Sequence, residues 1–216
     1  MSYEISKTDI LSYHCDRCGR CCQFITDQII IEALDAFRMA RNPKLHCANL
    51  AEVYERFTHP TFVPSLSEGG YPTFLLNARK DDSCVFLKDG VCAIYESRPR
   101  ICRTYPFVVH PASSKRELQI LPLMDPFSKH FSGGSISMRQ WLQQFLPKED
   151  QDFLAAEYKA MTELLGLIKQ MPPKKLLEAT MEIIYLHYFD YDTDEPFLPQ
   201  YNENMEKLKK TLTNLA

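Results

Sequence analysis

The chain has 216 residues, of which 45% are hydrophobic and 25% are charged, and its formal net charge is -3. This size and composition are typical of one globular domain, or of one domain with a helical extension. The small negative charge gives no reason to expect nucleic acid or an anionic membrane as a partner. The N-terminus lacks the basic start and apolar stretch of a secretory signal, and no apolar run approaches the ~18 residues of a membrane span. We therefore expect a cytoplasmic protein.

The first part of the chain predicts two helices, a loop and a strand. Apolar residues at helical spacing predict an amphipathic helix over 27–41, which Asn42-Pro43 would end. A second, shorter helix is predicted over 49–57. Three prolines and two glycines between residues 58 and 72 predict a loop. Residues 73–77 predict a strand.

Residues 84–96 predict a β-hairpin, and its turn decides where two cysteines point. A two-residue Asp-Gly turn pairs Leu87 with Cys92 and places Cys84 and Cys92 on opposite faces. A three-residue turn that begins at Lys88 pairs Phe86 with Cys92 and places both cysteines on one face, with backbones ~7–8 Å apart. If both cysteines bind one site, the three-residue turn is the one we predict.

The rest of the chain is predicted to be mostly helical. A short helix carrying Cys102 follows Ser97 and Pro99, and 116–123 predicts a strand. Helices are predicted from residue 133 onward, with segments at 149–170, 174–189 and 201–215, a break at Pro172-Pro173 and a loop over 191–199. The expected class is α+β. A small cysteine-rich metal-binding domain (1–112) with a short hairpin would be wrapped by helices, and a helical region (113–216) would pack on it.

The cysteines carry the strongest chemical signal. In a reducing compartment, clustered cysteines more often bind metal or carry out redox chemistry than form disulfides. Thiolates select zinc, copper(I) or iron–sulfur clusters. The run Cys15-x2-Cys18-x2-Cys21-Cys22 resembles the spacing of ferredoxin-type cluster segments more than the paired Cys-x2-Cys of zinc ribbons, although it does not match the ferredoxin pattern. The eight cysteines are Cys15, Cys18, Cys21, Cys22, Cys47, Cys84, Cys92 and Cys102.

Two segments together resemble a known family. The first is Cys15-x2-Cys18-Gly19-x-Cys21-Cys22, and the second is CVFLKDGVCAIYESRPRICRTYPF at 84–107. Together, and in this order, they are similar to the CxxCxxCC cysteine-cluster family, described as a zinc- or iron-chelating domain, whose members are commonly called iron–sulfur-cluster proteins. Flagellin lysine N-methylases are a related branch. The resemblance covers about residues 15–107.

The resemblance implies a set of metal ligands. Cys47 matches no part of the pattern and is left out. Seven cysteines exceed the four thiolates that one four-iron cluster needs, so either three are spare or a second metal is bound. The implied metal ligands are Cys15, Cys18, Cys21, Cys22, Cys84, Cys92 and Cys102.

Three basic residues lie next to the last of these cysteines. Guanidinium groups close to an anionic cluster would stabilise it and raise its potential, so Arg98, Arg100 and Arg103 are predicted to contact the cofactor. The alternative is that they form a solvated surface patch.

The functional expectation follows from these residues. We expect a protein that binds an iron–sulfur cluster, of the 4Fe-4S type, with a redox or accessory role and an unidentified redox or protein partner. The alternative is a zinc-binding structural or interaction module. A third reading, an enzyme like the protein-lysine N-methylases, has no glycine-rich cofactor motif to support it. No catalytic residue is predicted.

Overall fold

The computed structural model describes residues 6, 8–11, 15, 17–63, 70–111, 118–122 and 134–216. Within this part of the chain, the strands pair into four small antiparallel sheets of two strands each. The strands are β1 (Ile10–Leu11), β2 (Thr58–Val63), β3 (Tyr71–Leu76), β4 (Leu87–Lys88), β5 (Val91–Cys92), β6 (Phe107–Pro111), β7 (Leu118–Pro122) and β8 (Ile136–Ser137). The helices are α1 (Ala33–Ala40), α2 (Leu50–Phe57), α3 (Arg100–Thr104), α4 (Met138–Phe145), α5 (Lys148–Gln170), α6 (Leu176–Ile183) and α7 (Phe197–Leu215). The predicted α+β class is confirmed.

Helix α1 begins six residues later than predicted, at Ala33 rather than at residue 27. Residues 26–28 form a turn, and the residues directly before the helix pair with β3: Ile30 forms a bridge to Leu75, and the Ile31 amide donates to the Phe74 carbonyl at 2.9 Å. Helix α2 matches its prediction, because Asn49 caps it by accepting a hydrogen bond from the Glu52 amide.

The loop predicted over 58–72 is wrong at both of its ends. Residues 58–63 form β2, which pairs along its whole length with β3, so that Thr58 lies opposite Leu76. Among the described strands, β2 pairs with β3 alone, so Pro60 lies in an edge strand, where a missing amide hydrogen is tolerated. Residues 64–69 lie outside the described part of the chain. Strand β3 is buried throughout, as suits the predicted strand over 73–77.

The hairpin turn differs from the predicted three-residue loop. Leu87 lies opposite Cys92 and Lys88 opposite Val91, so only Asp89 and Gly90 form the turn. Both turn residues have positive φ, 50° and 78°, which is the backbone conformation that a two-residue turn requires. The short helix predicted to carry Cys102 is confirmed as α3.

The C-terminal half has the predicted helices with three changes at their ends. Helix α4 begins at Met138 rather than at residue 133, because Ile136 and Ser137 form β8 and pair with β1. Helices α5 and α6 are separated at Pro172-Pro173, as predicted. Helix α6 continues into a π-helical turn over Ile184–Phe189. Helix α7 begins at Phe197 rather than at residue 201. Pro199 is tolerated there because it lies in the first turn, where backbone amides have no hydrogen-bond acceptor within the helix. None of the helices in the described ranges is both long and apolar enough to span a membrane.

Two hydrophobic cores hold these elements together. The larger one joins α1, α2 and β3 to α5, α6 and α7, with Tyr54, Phe74 and Tyr188 in mutual ring contact. The smaller one packs Phe107 of β6 edge-on against Trp141 of α4, with ring centroids 4.9 Å apart. Both cores therefore combine residues from before and after residue 112.

A buried ionic network joins α1, α3 and α5. Asp150 has no solvent exposure and accepts hydrogen bonds from Arg38 at 2.7 and 2.9 Å. Arg103 of α3 binds the same carboxylate at 2.5 and 3.2 Å. Although burial opposes it, these guanidinium groups lower the pKa of Asp150, so the carboxylate stays charged. The network fixes α3, and with it Cys102, against the two longer helices.

This network predicts that removal of one charge, that of Asp150, strongly lowers the free energy of unfolding. In Asp150→Asn, two largely buried guanidinium groups lose their common anion, so the free energy of unfolding should fall by ~3–5 kcal/mol. The matched control is Asp152→Asn, which removes the exposed partner of Lys148 on the same helix and should cost less than ~0.5 kcal/mol. Urea unfolding followed by circular dichroism measures both. Similar losses in the two variants would contradict the role given to Asp150.

Candidate metal centre

The first cysteine segment folds as a tight loop against the hairpin. Gly19 has a φ of 71°, and residues Arg20–Cys22 form one 3₁₀ turn after it. A Cβ atom on Gly19 would lie 2.5 Å from the carbonyl oxygen of Gly90, so the backbones of the loop and the hairpin tip are in direct contact. The Cys84 amide donates to the Cys22 carbonyl at 2.8 Å. Two segments distant in the sequence are thus joined through main-chain atoms.

The seven cysteines predicted as ligands line one cavity of about 60 Å³. Four come from the loop, one precedes the hairpin, one lies on β5, and one lies on α3. Cys84 is buried and Cys18 is exposed, so the cavity extends from the interior to the surface. Cys47 is not part of its wall: its sulfur contacts the Leu45 carbonyl at 3.6 Å and Arg56 at 3.2 Å. The donor set is rich in sulfur and fits a thiolate-bound metal.

Cys84 and Cys92 reach the same cavity even though the hairpin has the two-residue turn. The turn type decides on which face Cys84 lies only if a regular strand runs from Cys84 to the turn. Instead, the chain turns between Cys84 and Leu87, where the Leu87 amide donates to the Cys84 carbonyl at 3.0 Å. Cys84 itself forms an isolated bridge with Ala78. Because the alternation of a strand stops at Leu87, the turn type does not decide the direction of Cys84.

The thiols on the cavity wall change one another's pKa. Hydrogen bonds from Cys22 lower the pKa of Cys21, and lower that of Cys92 to about 7. The same bonds raise the pKa of Cys22, which is the donor. Burial raises the pKa of Cys84 and of Cys102. Cys21 and Cys92 therefore release their protons to a cation more readily than an isolated thiol does, whereas the more enclosed Cys84 and Cys102 hold theirs more strongly.

The three arginines predicted near the cofactor do not share one environment. Arg98 and Arg103 line the cavity, and the charge of Arg98 helps to lower the pKa of Cys21 and of Cys92. Arg100 is directed elsewhere: its guanidinium binds the Glu32 carboxylate at 2.6 and 2.7 Å. The arginines around Cys102 therefore have two functions. Arg98 and Arg103 line the cavity, and Arg100 connects α3 to the start of α1.

Aromatic and basic side chains complete the wall. Arg98 lies 3.6 Å from the centroid of the Tyr95 ring and donates to the Tyr95 carbonyl at 2.7 Å. Arg17 lies 4.2 Å from the same ring. The Tyr95 hydroxyl is 4.0 Å from the Cys15 sulfur. Arg17 was not among the predicted site residues, although its place within the cysteine run is a usable signal. Asp150 was not predicted either, and the sequence around it gives no signal for its role.

The contact between Gly19 and Gly90 predicts different effects of two similar substitutions. Gly90→Ala meets no atom within 4 Å and adds only left-handed backbone strain, ~1–2 kcal/mol. Gly19→Ala adds the same strain and also drives a methyl group into the Gly90 carbonyl, so we expect a further ~1–3 kcal/mol and reduced metal content. Denaturant unfolding and metal analysis compare the variants. Equal loss of stability in both would show that the close approach does not constrain the loop.

The comparisons with known proteins agree with this geometry. Residues 14–125 match the model of the CxxCxxCC family, described as a "putative zinc- or iron-chelating domain". An uncharacterized protein of Methanocaldococcus jannaschii is 30% identical over 110 residues, which are 50% of this chain and 52% of that protein. The chain thus spans about half the length of this relative. No solved structure matches the chain significantly. Because the match covers more than half of its residues, including all seven cavity cysteines, the chain belongs to the CxxCxxCC family of metal-chelating domains.

Proposed function

We propose that this protein binds an iron–sulfur cluster of the 4Fe-4S type and uses it to exchange electrons with a protein partner. The observation that carries the proposal is the position of seven cysteines on the wall of one cavity. Metal binding itself follows from the family. The choice of iron–sulfur over zinc rests on the number, arrangement and surroundings of the sulfurs.

The number and arrangement of the sulfurs favour a cluster. A structural zinc ion uses four ligands at one point. Sulfurs spread around a cavity suit several metal atoms, each held by its own thiolate. Seven thiols also leave sulfur donors beyond the four that one cluster needs.

The surroundings of the sulfurs suit an anionic, redox-active group. An iron–sulfur cluster supplies one-electron transfer, and its potential rises with hydrogen bonds to sulfur and with nearby positive charge. The protein supplies both. The Phe86 amide lies 3.4 Å from the Cys84 sulfur, and Arg98 and Arg103 bring positive charge to the wall. Asp150 holds Arg103 in place, so it acts on the site through that arginine.

The decisive measurement is the metal and acid-labile sulfide content of protein purified without oxygen, together with its absorption spectrum. Iron and sulfide in equal amounts, with broad visible absorption that bleaches in air, are expected. Stoichiometric zinc without sulfide would replace the proposal with a structural or interaction module. The iron content per chain also tells whether the seven cysteines hold one cluster or two.

A pair of cysteine variants tests the site itself. Cys21→Ala removes a thiol with a lowered pKa from the cavity wall, so it should lose most of its iron and sulfide. Cys47→Ala removes a thiol that contacts Arg56 instead, and it should retain the wild-type content. Both variants are reconstituted under identical conditions, and iron and sulfide are measured per folded chain. The same metal content in both would refute the assignment of the site.

A further inference from the structure

A second, larger cavity lies between β3, α5 and the π-helical turn after α6. Its volume is about 560 Å³, within the ~300–1,000 Å³ that small-molecule sites span. It shares no wall residue with the metal centre. Apolar side chains form most of its wall, and Gly166 of α5 has nothing within 4 Å of the point where its Cβ would be, which leaves the cavity open on that side. The apolar and aromatic wall residues are Ile30, Ile31, Val63, Tyr71, Met161, Leu165 and Tyr188.

A buried network of hydrogen-bonded side chains lies in the wall of this cavity. His187, 2% exposed, lies in the π-helical turn, a type of distortion that is frequent at functional sites. Its Nδ1 is 2.7 Å from the Tyr71 hydroxyl, and its Nε2 is 3.1 Å from Oε2 of Glu157. The Tyr201 hydroxyl donates to the same oxygen of Glu157. Both described hydrogen bonds of Glu157 therefore end on Oε2, while Glu157 is itself part of the cavity wall.

The network leaves Oε1 of Glu157 without a hydrogen bond from the described residues. Nε2 of His187 and the hydroxyl of Tyr201 both contact Oε2, and neither contacts Oε1. Although burial opposes it, His187 and Tyr201 lower the pKa of Glu157, so its carboxylate is ionised. The other two charged residues of the wall do not balance it. Glu32 is paired with Arg100 at 2.6 Å, and Lys169 is exposed to solvent, which screens its charge.

We propose that this cavity binds a small organic cation, an ammonium group on an apolar chain, whose nitrogen donates to Oε1 of Glu157. An anionic carboxylate with a free oxygen is stabilised most by a charged donor, because charge-assisted hydrogen bonds are about twice as strong as neutral ones. The apolar wall takes the carbon chain out of water. The Tyr71 and Tyr188 rings add surface that attracts cations. The inference does not depend on which metal the cysteines hold.

A charge series tests this site. Hexylammonium, hexanol and hexanoate share one carbon chain and differ only in the head group. Calorimetric titration of the full-length, metal-loaded protein should show hexylammonium binding at least ~10-fold more tightly than hexanol, the factor expected when a neutral donor becomes a charged one. Hexanoate should not bind. Equal affinities for hexylammonium and hexanol, or no binding of hexylammonium up to roughly 10 mM, would overturn the proposal.

Three variants locate the binding. Glu157→Gln keeps the shape of the side chain and removes its charge, so hexylammonium should fall to the affinity of hexanol. Glu163→Gln is the control on the same helix, because Glu163 pairs with Lys209 away from this cavity. This variant should bind hexylammonium as tightly as the wild-type protein does. Gly166→Leu fills the open side of the cavity and should abolish binding of both ligands even if Glu157→Gln does not fold. Unchanged binding in Gly166→Leu would show that the ligand lies elsewhere. Metal content, measured on each variant, separates these results from any failure of the metal centre.

Discussion

Asp150 and the two guanidinium groups it binds fix the short helix that carries Cys102. That helix has only five residues, too few to be stable in isolation. Its position comes from neighbours: Asp35 of α1 accepts a hydrogen bond from the Arg100 amide at 2.8 Å, and Asp150 of α5 binds Arg103. A buried carboxylate between two arginines is costly to disrupt, since removal of one member leaves charge without compensation. The last cysteine is therefore held by charges that lie outside the cysteine-rich segments.

The metal centre combines sulfur donors that would repel one another as thiolates. Without a metal, hydrogen bonds from Cys22 lower the pKa of Cys21 and of Cys92, so these two thiols lose their protons more easily than an isolated thiol does. A bound cation would replace those protons and remove the need for the hydrogen bonds. Arg98 then remains as a fixed positive charge close to the sulfurs. Its position is set by a hydrogen bond to the Tyr95 carbonyl and by contact with the Tyr95 ring.

Local signals in the sequence predicted the elements whose causes are local. Helix α2 begins within one residue of its predicted start, Pro172-Pro173 separates α5 from α6, and the cysteine spacing identifies the family. The predictions are wrong where contacts with residues distant in the sequence set the backbone conformation. The segment directly before α1 is extended because it pairs with β3, more than forty residues later.

The directions of side chains also could not be predicted from the sequence. A run of three arginines does not tell that Arg98 faces the cavity while Arg100 binds Glu32. Asp150 lies 47 positions from Arg103 and 112 from Arg38, so no window of sequence contains the network. The prediction of a three-residue turn differs from the observed Asp89-Gly90 turn because it requires a strand that continues back to Cys84, and the chain bends between Cys84 and Leu87.

The main-chain contact between the first cysteine loop and the hairpin has a consequence for biosynthesis. Cys22 binds the Cys84 amide through its carbonyl, and Gly19 rests on Gly90, so the loop has its final support only after residue 90 has been made. At ~5–20 residues per second, the ribosome needs roughly 3–12 s to proceed from one segment to the other. During that interval four closely spaced thiols are exposed without their partners. Asp150 appears later still, so the cavity closes around its sulfurs only when most of the chain has been synthesised.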